Sequence, residues 1–275
     1  MSAATVSPVE LAQLGRAVSD IARRAGAAIL EVYEGEPRKG AAEKGDGSPL
    51  TLADLRAHDV IVHALRALTP QVPVLSEEDA HVPWVTRSTW ARHWLVDPLD
   101  GTREFLARNG EFTVNIALVV DHRPVLGVVY VPVGDVLYMG TTGSGATRTR
   151  GAAGPESIAV APRAAVPVRV VGSRSHGVGS LDAFLAALGP HELQSIGSSL
   201  KLCRVAEGAA DLYPRLGPTS EWDTAAAHAV VIAAGGQVVK LDGSPLAYNA
   251  KAELLNPHFL VYADASRDWL ACARP

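Results

Sequence analysis

The sequence predicts an α+β half followed by an α/β half. Apolar residues recur at helical spacing twice before residue 70, short β-rich segments separated by turns follow within 72–139, and from Val168 onward strand and helix patterns alternate. With 48% hydrophobic and 20% charged residues, the 275-residue chain can bury a sizeable core, as one unit or as two closely packed domains.

The first helical stripe is Leu11, Leu14, Val18, Ile21, Ala25, Ile29 and Val32, spaced three or four apart within 8–33, and Gly35 with Pro37 marks its end. After a polar loop rich in Lys and Gly, Thr51 precedes a second helical pattern to Leu68, which Thr69-Pro70 closes. Segments 72–75, 94–96, 113–120, 125–131 and 136–139 are then separated by Gly, Pro and Asp turns, as in a meandering sheet. The Gly-, Ala- and Pro-rich span 140–167 departs from both periodicities and is the expected domain junction, dividing 1–150 from 151–275. Beyond it the pattern predicts strand 168–172, helix 181–188, a strand near Ile196, helices 200–207 and 224–234, and strand 237–241. Asp-Gly-Ser-Pro-Leu occurs at 46–50 and again at 242–246, but the flanks differ, so these are similar turns and not repeats.

Composition also narrows the partners. A net charge of −4, without basic stripes or aromatic stacking runs, argues against a nucleic-acid polymer and leaves room for a small anion in a local pocket. Cys203 and Cys272 lack CxxC spacing, which argues against a disulfide framework and a structural zinc site and fits a reducing compartment. Residues 1–10 lack secretory-signal character, and no apolar run reaches the ~20 residues of a membrane helix. The expected location is the cytoplasm, with peripheral attachment to the inner face of a membrane left open, and the oligomeric state is not fixed. Neither 143–145 nor 151–154 supplies a P-loop lysine or a GxGxxG pattern. His58, His63, His81 and His93 lack ligand spacing and receive no role.

The most informative stretch is WLVDPLDGTREF at 94–105, a strand expected to end at Asp97 and turn through Pro98 towards a helix start. Asp97 and Asp100 can then point to one spot, while Gly101 and Thr102 present N–H groups to an anion. Hard oxygen ligands of this kind suit magnesium, which is shared between one or two carboxylates and a substrate phosphate. Taken alone, the two aspartates equally fit turn and helix caps. Two further acidic sites bear on the choice: LSEED at 75–79, and Glu221-Trp222-Asp223 before a helix. By itself the first fits a solvated loop, and Asp223 fits an ordinary cap.

Together these segments resemble the inositol monophosphatase-like superfamily of metal-dependent, lithium-sensitive phosphatases, with its GEE-type acidic turn, DP-(I/L)-DGT loop and WD pair in the same order. The likeness runs from 48–54 to Leu241. Within the superfamily, LSEED, WLVDPLDGTREF, GSRSH, GSSLK and GPTSEWDTAAAHAV are similar to the 3′(2′),5′-bisphosphate nucleotidases of the CysQ branch. The resemblance implies a layered αβαβα sandwich and magnesium-dependent removal of the 3′-phosphate from adenosine 3′,5′-bisphosphate by water, without a covalent enzyme intermediate. Whether 3′-phosphoadenylyl sulfate is also accepted stays open.

By the same resemblance, Glu77, Asp97, Asp100, Asp223 and the Leu99 carbonyl hold two or three magnesium ions. Asp54 and Thr102 position the attacking water and, with Glu77, make up the catalytic set, while Glu78 tunes the site or holds a third ion. Gly101 and Thr102 receive the phosphate. Ser173, His176, Gly197, Lys201, Glu221 and Asp223 contact the substrate, with Arg174 adding charge and Lys201 neutralising the phosphate that does not react. Residues 1–150 would thus carry most metal ligands, and 151–275 the nucleotide contacts and the last ligand. Leu75-Ser76 replaces the Ile-Gly of several relatives, a change that CysQ-like members share. Two other readings stay open: an inositol or other sugar monophosphatase with the same metal site, and a non-catalytic binder, against which the complete carboxylate set argues.

Overall fold

A computed structural model of the chain describes residues 6–35, 42–43, 49–173 and 178–273. Helix α1 (Pro8–Glu34) starts where the Ser7 hydroxyl accepts from the Glu10 N–H at 3.2 Å, with Pro8 in the first turn, and ends at Gly35. Strands β1 (Ala42–Glu43) and β2 (Pro49–Leu50) form a small antiparallel pair. Helix α2 (Leu52–Leu68) begins at Thr51, as predicted, because that residue and Asp54 form a capping box.

The first sheet contains β3 (Val74–Ser76), β4 (Arg92–Asp100), β5 (Thr113–Val120), β6 (Arg123–Val131), β7 (Val136–Thr141), β8 (Gly145–Arg150) and β9 (Glu156–Ile158), in chain order across the sheet. β3 and β4 are parallel, and the remaining neighbours are antiparallel. Two short helices interrupt the run, α3 (Trp84–Arg87) before β4 and α4 (Thr102–Leu106) after it. The second half adds β10 (Val168–Gly172), α5 (Val178–Leu188), β11 (His191–Ser195), α6 (Leu200–Ala206), β12 (Leu212–Arg215), α7 (Glu221–Ala233), β13 (Gln237–Lys240) and β14 (Phe259–Tyr262). Its sheet has the order β11-β10-β12-β14-β13, with β10 parallel to both neighbours and β14 antiparallel to both of its own.

Burial arranges these elements in five layers. α1 and α2 press Val18, Ile29, Ile61 and Leu65 onto Trp94 and Val114 of the first sheet. α6 and α7 fill the space between the sheets through Leu202, Val205, Val230 and Val231. α5 and a final 3₁₀ turn (Trp269–Ala273) cover the outer face of the second sheet with Phe184, Leu188 and Trp269. The result is the αβαβα sandwich that the resemblance implies. α7 is apolar nearly all round, as a helix caught between two sheets must be. It also lies unusually close to the first sheet. A Cβ on Gly127 would stand 2.0 Å from the Ala226 carbonyl oxygen, and one on Gly140 would stand 2.5 Å from the Val230 Cα.

Three expectations need correction. β8 and β9 fall within the span read as a junction, so the first sheet continues past residue 150 to Ile158. These edge strands carry Thr, Arg and Glu where interior strands carry apolar residues, so no β-rich run marks them. Wedged between the sheets, α7 makes the two halves share a core. β4 does not stop at Asp97 but continues through Pro98 to Asp100, with a bulge in its pairing to β5 between those aspartates. β12 and β14 were not expected. Among the described residues no helix is long and apolar enough to cross a membrane.

Candidate active site

The bulge in β4 performs the first step of site assembly. On a regular strand, residues three apart face opposite sides of the sheet. Asp97 pairs with Asn115 while the next registered pair is Asp100 with Thr113, so the one extra residue on β4 turns both aspartates towards one cavity. The parallel pairing of Ser76 with Val96 then brings Glu77, at the start of a 3₁₀ turn, against Asp97, and their side chains hydrogen-bond. Immediately after Asp100, Gly101 adopts φ +91°, a left-handed conformation suited to glycine, and α4 starts at Thr102.

Two further carboxylates are placed by helix capping. Asp54 is fully buried, and its Oδ2 accepts from the Thr51 N–H at 2.8 Å and the Thr51 hydroxyl at 2.5 Å. Its Oδ1 accepts from the Thr102 hydroxyl at 3.4 Å. At the start of α7, Asp223 Oδ2 accepts from the Thr219 hydroxyl at 2.6 Å and the Ser220 N–H at 2.9 Å. Capping and site-building are thus one geometry: one oxygen secures the helix start and leaves the other for chemistry.

These elements enclose a cavity of about 490 Å³ between the two halves. The first half of the chain contributes Glu77, Asp97, Leu99, Asp100, Gly101 and Thr102 to its lining. The second half contributes Ser173, Gly197, Lys201 and Asp223, and Asp54 stands behind Thr102. Burial raises the Asp97 pKa well above the usual carboxylate value, helped by Glu77, Asp100 and Asp223. Asp100 is pushed up to about 8, first by burial and then by Asp223, against the pull of Lys201. Burial also raises Asp223 and lowers Lys201 to about 8.

Four clustered carboxylates in a desolvated wall suit cations with hard-oxygen preference. The Glu77–Asp97 contact is one that two carboxylates make only with a shared proton or a nearby positive charge. Among the described residues no group of three Asp, Glu, His or Cys side chains forms a ready-made ion cage. Magnesium does not require one, since it takes a few protein oxygens and completes its shell with water and substrate.

Several expected contacts come out differently. Glu221 is 1% exposed and absent from the cavity wall, and its Oε2 accepts from the Asn249 N–H at 2.6 Å, so it is not placed to touch a substrate. The side chain turns inward because α7 begins beneath the segment 249–256, which covers it. Gly197 lines the cavity, but its N–H donates to Glu111 at 2.8 Å, and a Cβ there would meet Glu104 at 2.5 Å. Its place is therefore one of close packing. Lys201 donates to Ser198 O at 2.6 Å and Ile196 O at 3.2 Å, which commits two of its three protons. His176 and Arg174 lie outside the described residues.

The structure adds residues the motifs did not single out. Arg215 and Arg103 line the cavity, the former with a buried Nε that has no partner and the latter exposed. Behind Asp100 runs a buried polar chain: Asn115 donates to Asp100 at 3.4 Å and accepts from Ser199 at 2.8 Å, and the Thr113 and Ser199 hydroxyls are 2.9 Å apart. The one sequence signal for this chain was an asparagine inside the apolar run TVNIALVV.

Comparison with known proteins supports the same region of fold space. Residues 10–271 match the inositol monophosphatase family. The chain is 53% identical over 244 residues, 89% of its length and 97% of the relative's, to the 3′(2′),5′-bisphosphate nucleotidase CysQ of Escherichia coli K12. Among solved structures, CysQ of Bacteroides thetaiotaomicron superposes with a TM-score of 0.79 at 45% identity, covering 91% of this chain and 97% of that one. Inositol monophosphatase from Anabaena superposes with a TM-score of 0.73 at 25% identity, covering 96% of each chain.

Proposed function

The chain belongs to the inositol monophosphatase family, and from that premise we propose that it is a magnesium-dependent 3′(2′),5′-bisphosphate nucleotidase converting adenosine 3′,5′-bisphosphate to AMP and phosphate. The observation that carries the substrate class is a cavity that brings carboxylates and cationic groups together. Glu77, Asp97, Asp100 and Asp223 form an acidic wall fit for cations, and Lys201, Arg215 and Arg103 bring positive charge to the same space. A ligand with one phosphate at the metals and another near the cationic groups uses both kinds of group. Inositol 1-phosphate, with one phosphate, uses only the first, which disfavours the inositol monophosphatase reading.

In the proposed reaction Glu77, Asp97, Asp100, Asp223 and the Leu99 carbonyl hold magnesium, and Gly101 and Thr102 present N–H groups to the 3′-phosphate. When bound, the metal acidifies the attacking water and neutralises charge on the departing ester oxygen. The Thr102 hydroxyl, held between Asp54 Oδ1 at 3.4 Å and Leu99 O at 3.5 Å, orients that water. Asp54, desolvated behind it, accepts the proton passed through the hydroxyl. Water oxygen bonds to phosphorus as the bond from phosphorus to the 3′ oxygen breaks, and that oxygen takes a proton from solvent while Asp54 later returns its own to solvent. Glu78, beside Glu77, tunes this wall.

3′-Phosphoadenylyl sulfate presents the same 3′-phosphate and is expected as a second substrate. The unpaired thiols Cys203 and Cys272 suit a cytoplasmic location. Phosphate release with and without magnesium, on adenosine 3′,5′-bisphosphate, inositol 1-phosphate and fructose 1,6-bisphosphate at matched concentrations, tests the proposal. Magnesium-dependent preference for the nucleotide is expected. Preference for a sugar phosphate would overturn the substrate, and no release from any of the three would overturn the enzyme reading.

A further inference from the structure

We propose that Glu221 is a positioning residue which, with Asn249 and Arg87, fixes the first turn of α7 and thereby sets Asp223 in the acidic wall. The inference rests on the reading of Asp223 as part of the magnesium site.

The argument starts from a buried guanidinium. Arg87 closes α3 in the first half of the chain, is 2% exposed, and among the described residues has no carboxylate in salt-bridge contact. Its donors instead reach Asn249 Oδ1 at 2.7 Å, Lys251 O at 3.0 Å and Ala252 O, while its own carbonyl accepts from Asn249 Nδ2 at 2.7 Å. One side chain thus ties the segment 249–252 to the opposite half of the molecule. Asn249 is fully buried and holds φ +49°, a conformation in which its N–H points at Glu221 Oε2, 2.6 Å away.

Downstream, the same segment brackets the start of α7. Leu254 O accepts from the Glu221 N–H at 2.8 Å, Thr219 O accepts from the Asn256 N–H at 2.8 Å, and Asn256 Nδ2 donates to Ser220 O at 2.8 Å. Thr219 and Ser220 are the residues that hold Asp223 Oδ2. Both residues that hydrogen-bond Asp223 are therefore themselves held by 249–256, whose side-chain anchors on α7 are Glu221 and, through Asn256 Nδ2 at 3.1 Å, Thr224. Leu255 and Trp222 of this assembly also line the cavity, so its displacement would alter the site directly. Glu221 Oε1 remains buried without a partner. Retaining such an atom is costly, and a purely structural position would be better filled by an apolar side chain.

The test compares wild type, Glu221→Ala, Glu221→Gln and Asn249→Gly. Two readouts are used: magnesium titrations followed by thermal shift without substrate, and kcat and KM for adenosine 3′,5′-bisphosphate. Glutamine keeps an acceptor for the Asn249 N–H, and glycine at 249 keeps that N–H and the left-handed backbone while removing the two side-chain bonds between residue 249 and Arg87. Glu221→Ala is expected to raise the magnesium concentration at half-maximal thermal shift by about 10-fold or more, as for other groups supporting metal ligands. It should lower kcat by a similar factor and change KM by less than about threefold, whereas Glu221→Gln stays within about threefold of wild type throughout. Asn249→Gly should move in the same direction as Glu221→Ala, and it decides the matter if the alanine variant does not fold. Unchanged magnesium titrations in the folded alanine variant or in Asn249→Gly, or a glutamine variant as impaired as alanine, would overturn the inference. A wild type without any magnesium response would instead remove the premise and overturn the functional reading with it.

Discussion

Asp100→Asn should make the metal-free protein more stable while destroying its response to magnesium. In the fold the Asp100 carboxyl is pushed from 3.8 to about 8 by burial and then by Asp223. In the unfolded chain it ionises normally. A carboxyl with a raised folded pKa loses stability as pH climbs from the unfolded value towards the folded one, so the penalty is absent below about pH 4 and large at pH 7. Full expression of the shift corresponds to roughly 4 kcal/mol at pH 7. Asp223, Lys201 and Glu77 act on Asp100, so the variant is expected to recover about half, roughly 2 kcal/mol, because these remaining charges relax around it. For a chain of this size that is a rise of about 4–8 °C in melting temperature.

The assay is thermal unfolding in chelator from pH 4.5 to 8, then repeated with magnesium. Wild type should gain about 1.4 kcal/mol at a magnesium concentration ten times its dissociation constant, and the variant should gain almost nothing. In chelator the gap between the two proteins should widen as pH rises. A variant that melts below wild type in chelator at pH 7.5, or that keeps the magnesium shift, would refute the electrostatic account of the acidic wall.

Other outcomes follow from single contacts. Thr102→Val removes the hydroxyl between Asp54 and Leu99 and should lower kcat by about 10²–10⁴-fold while the magnesium-induced thermal shift survives, which separates catalysis from metal binding. Gly127→Ala forces a methyl to within 2.0 Å of the Ala226 carbonyl. Urea unfolding should show a loss of about 3 kcal/mol or more, and activity should fall as α7 shifts. His93 is buried, both ring nitrogens lack partners, and burial lowers its pKa to about 4. A depressed histidine contributes stability above about pH 6.5 that is lost as pH falls towards the folded value. Between pH 6.5 and 4.5 His93→Phe should therefore lose up to about 1.4 kcal/mol less per pH unit than wild type, and equal slopes in urea titrations would contradict this.

Much of the outline was legible because it depends on local periodicity. The stripes of α1 and α2, the start of α2 at Thr51, and strands such as β5 follow from side-chain spacing and backbone propensity within a window of a few residues. β8, β9, β12 and β14 were not, because they are short or polar and acquire strand geometry from their neighbours in the sheet. The acidic residues announced themselves through order and motif, but motif alone left caps and ligands indistinguishable. The structure shows why: Asp54 and Asp223 are capping residues and also stand at the site.

By itself, then, the sequence determined the helices α1, α2, α5, α6 and α7, most of the first sheet, the family resemblance and the set of acidic residues, all of which are written in contiguous stretches. Only the tertiary structure decided that a bulge turns Asp97 and Asp100 to one side, that Arg215 and Arg103 share their cavity, and that Glu221 faces Asn249 and not the substrate space. Those outcomes depend on contacts between residues far apart in the chain. Side-chain direction at Glu221 is set by the residues 28 positions away that cover it, and no local pattern encodes which of two polar surroundings a glutamate will meet.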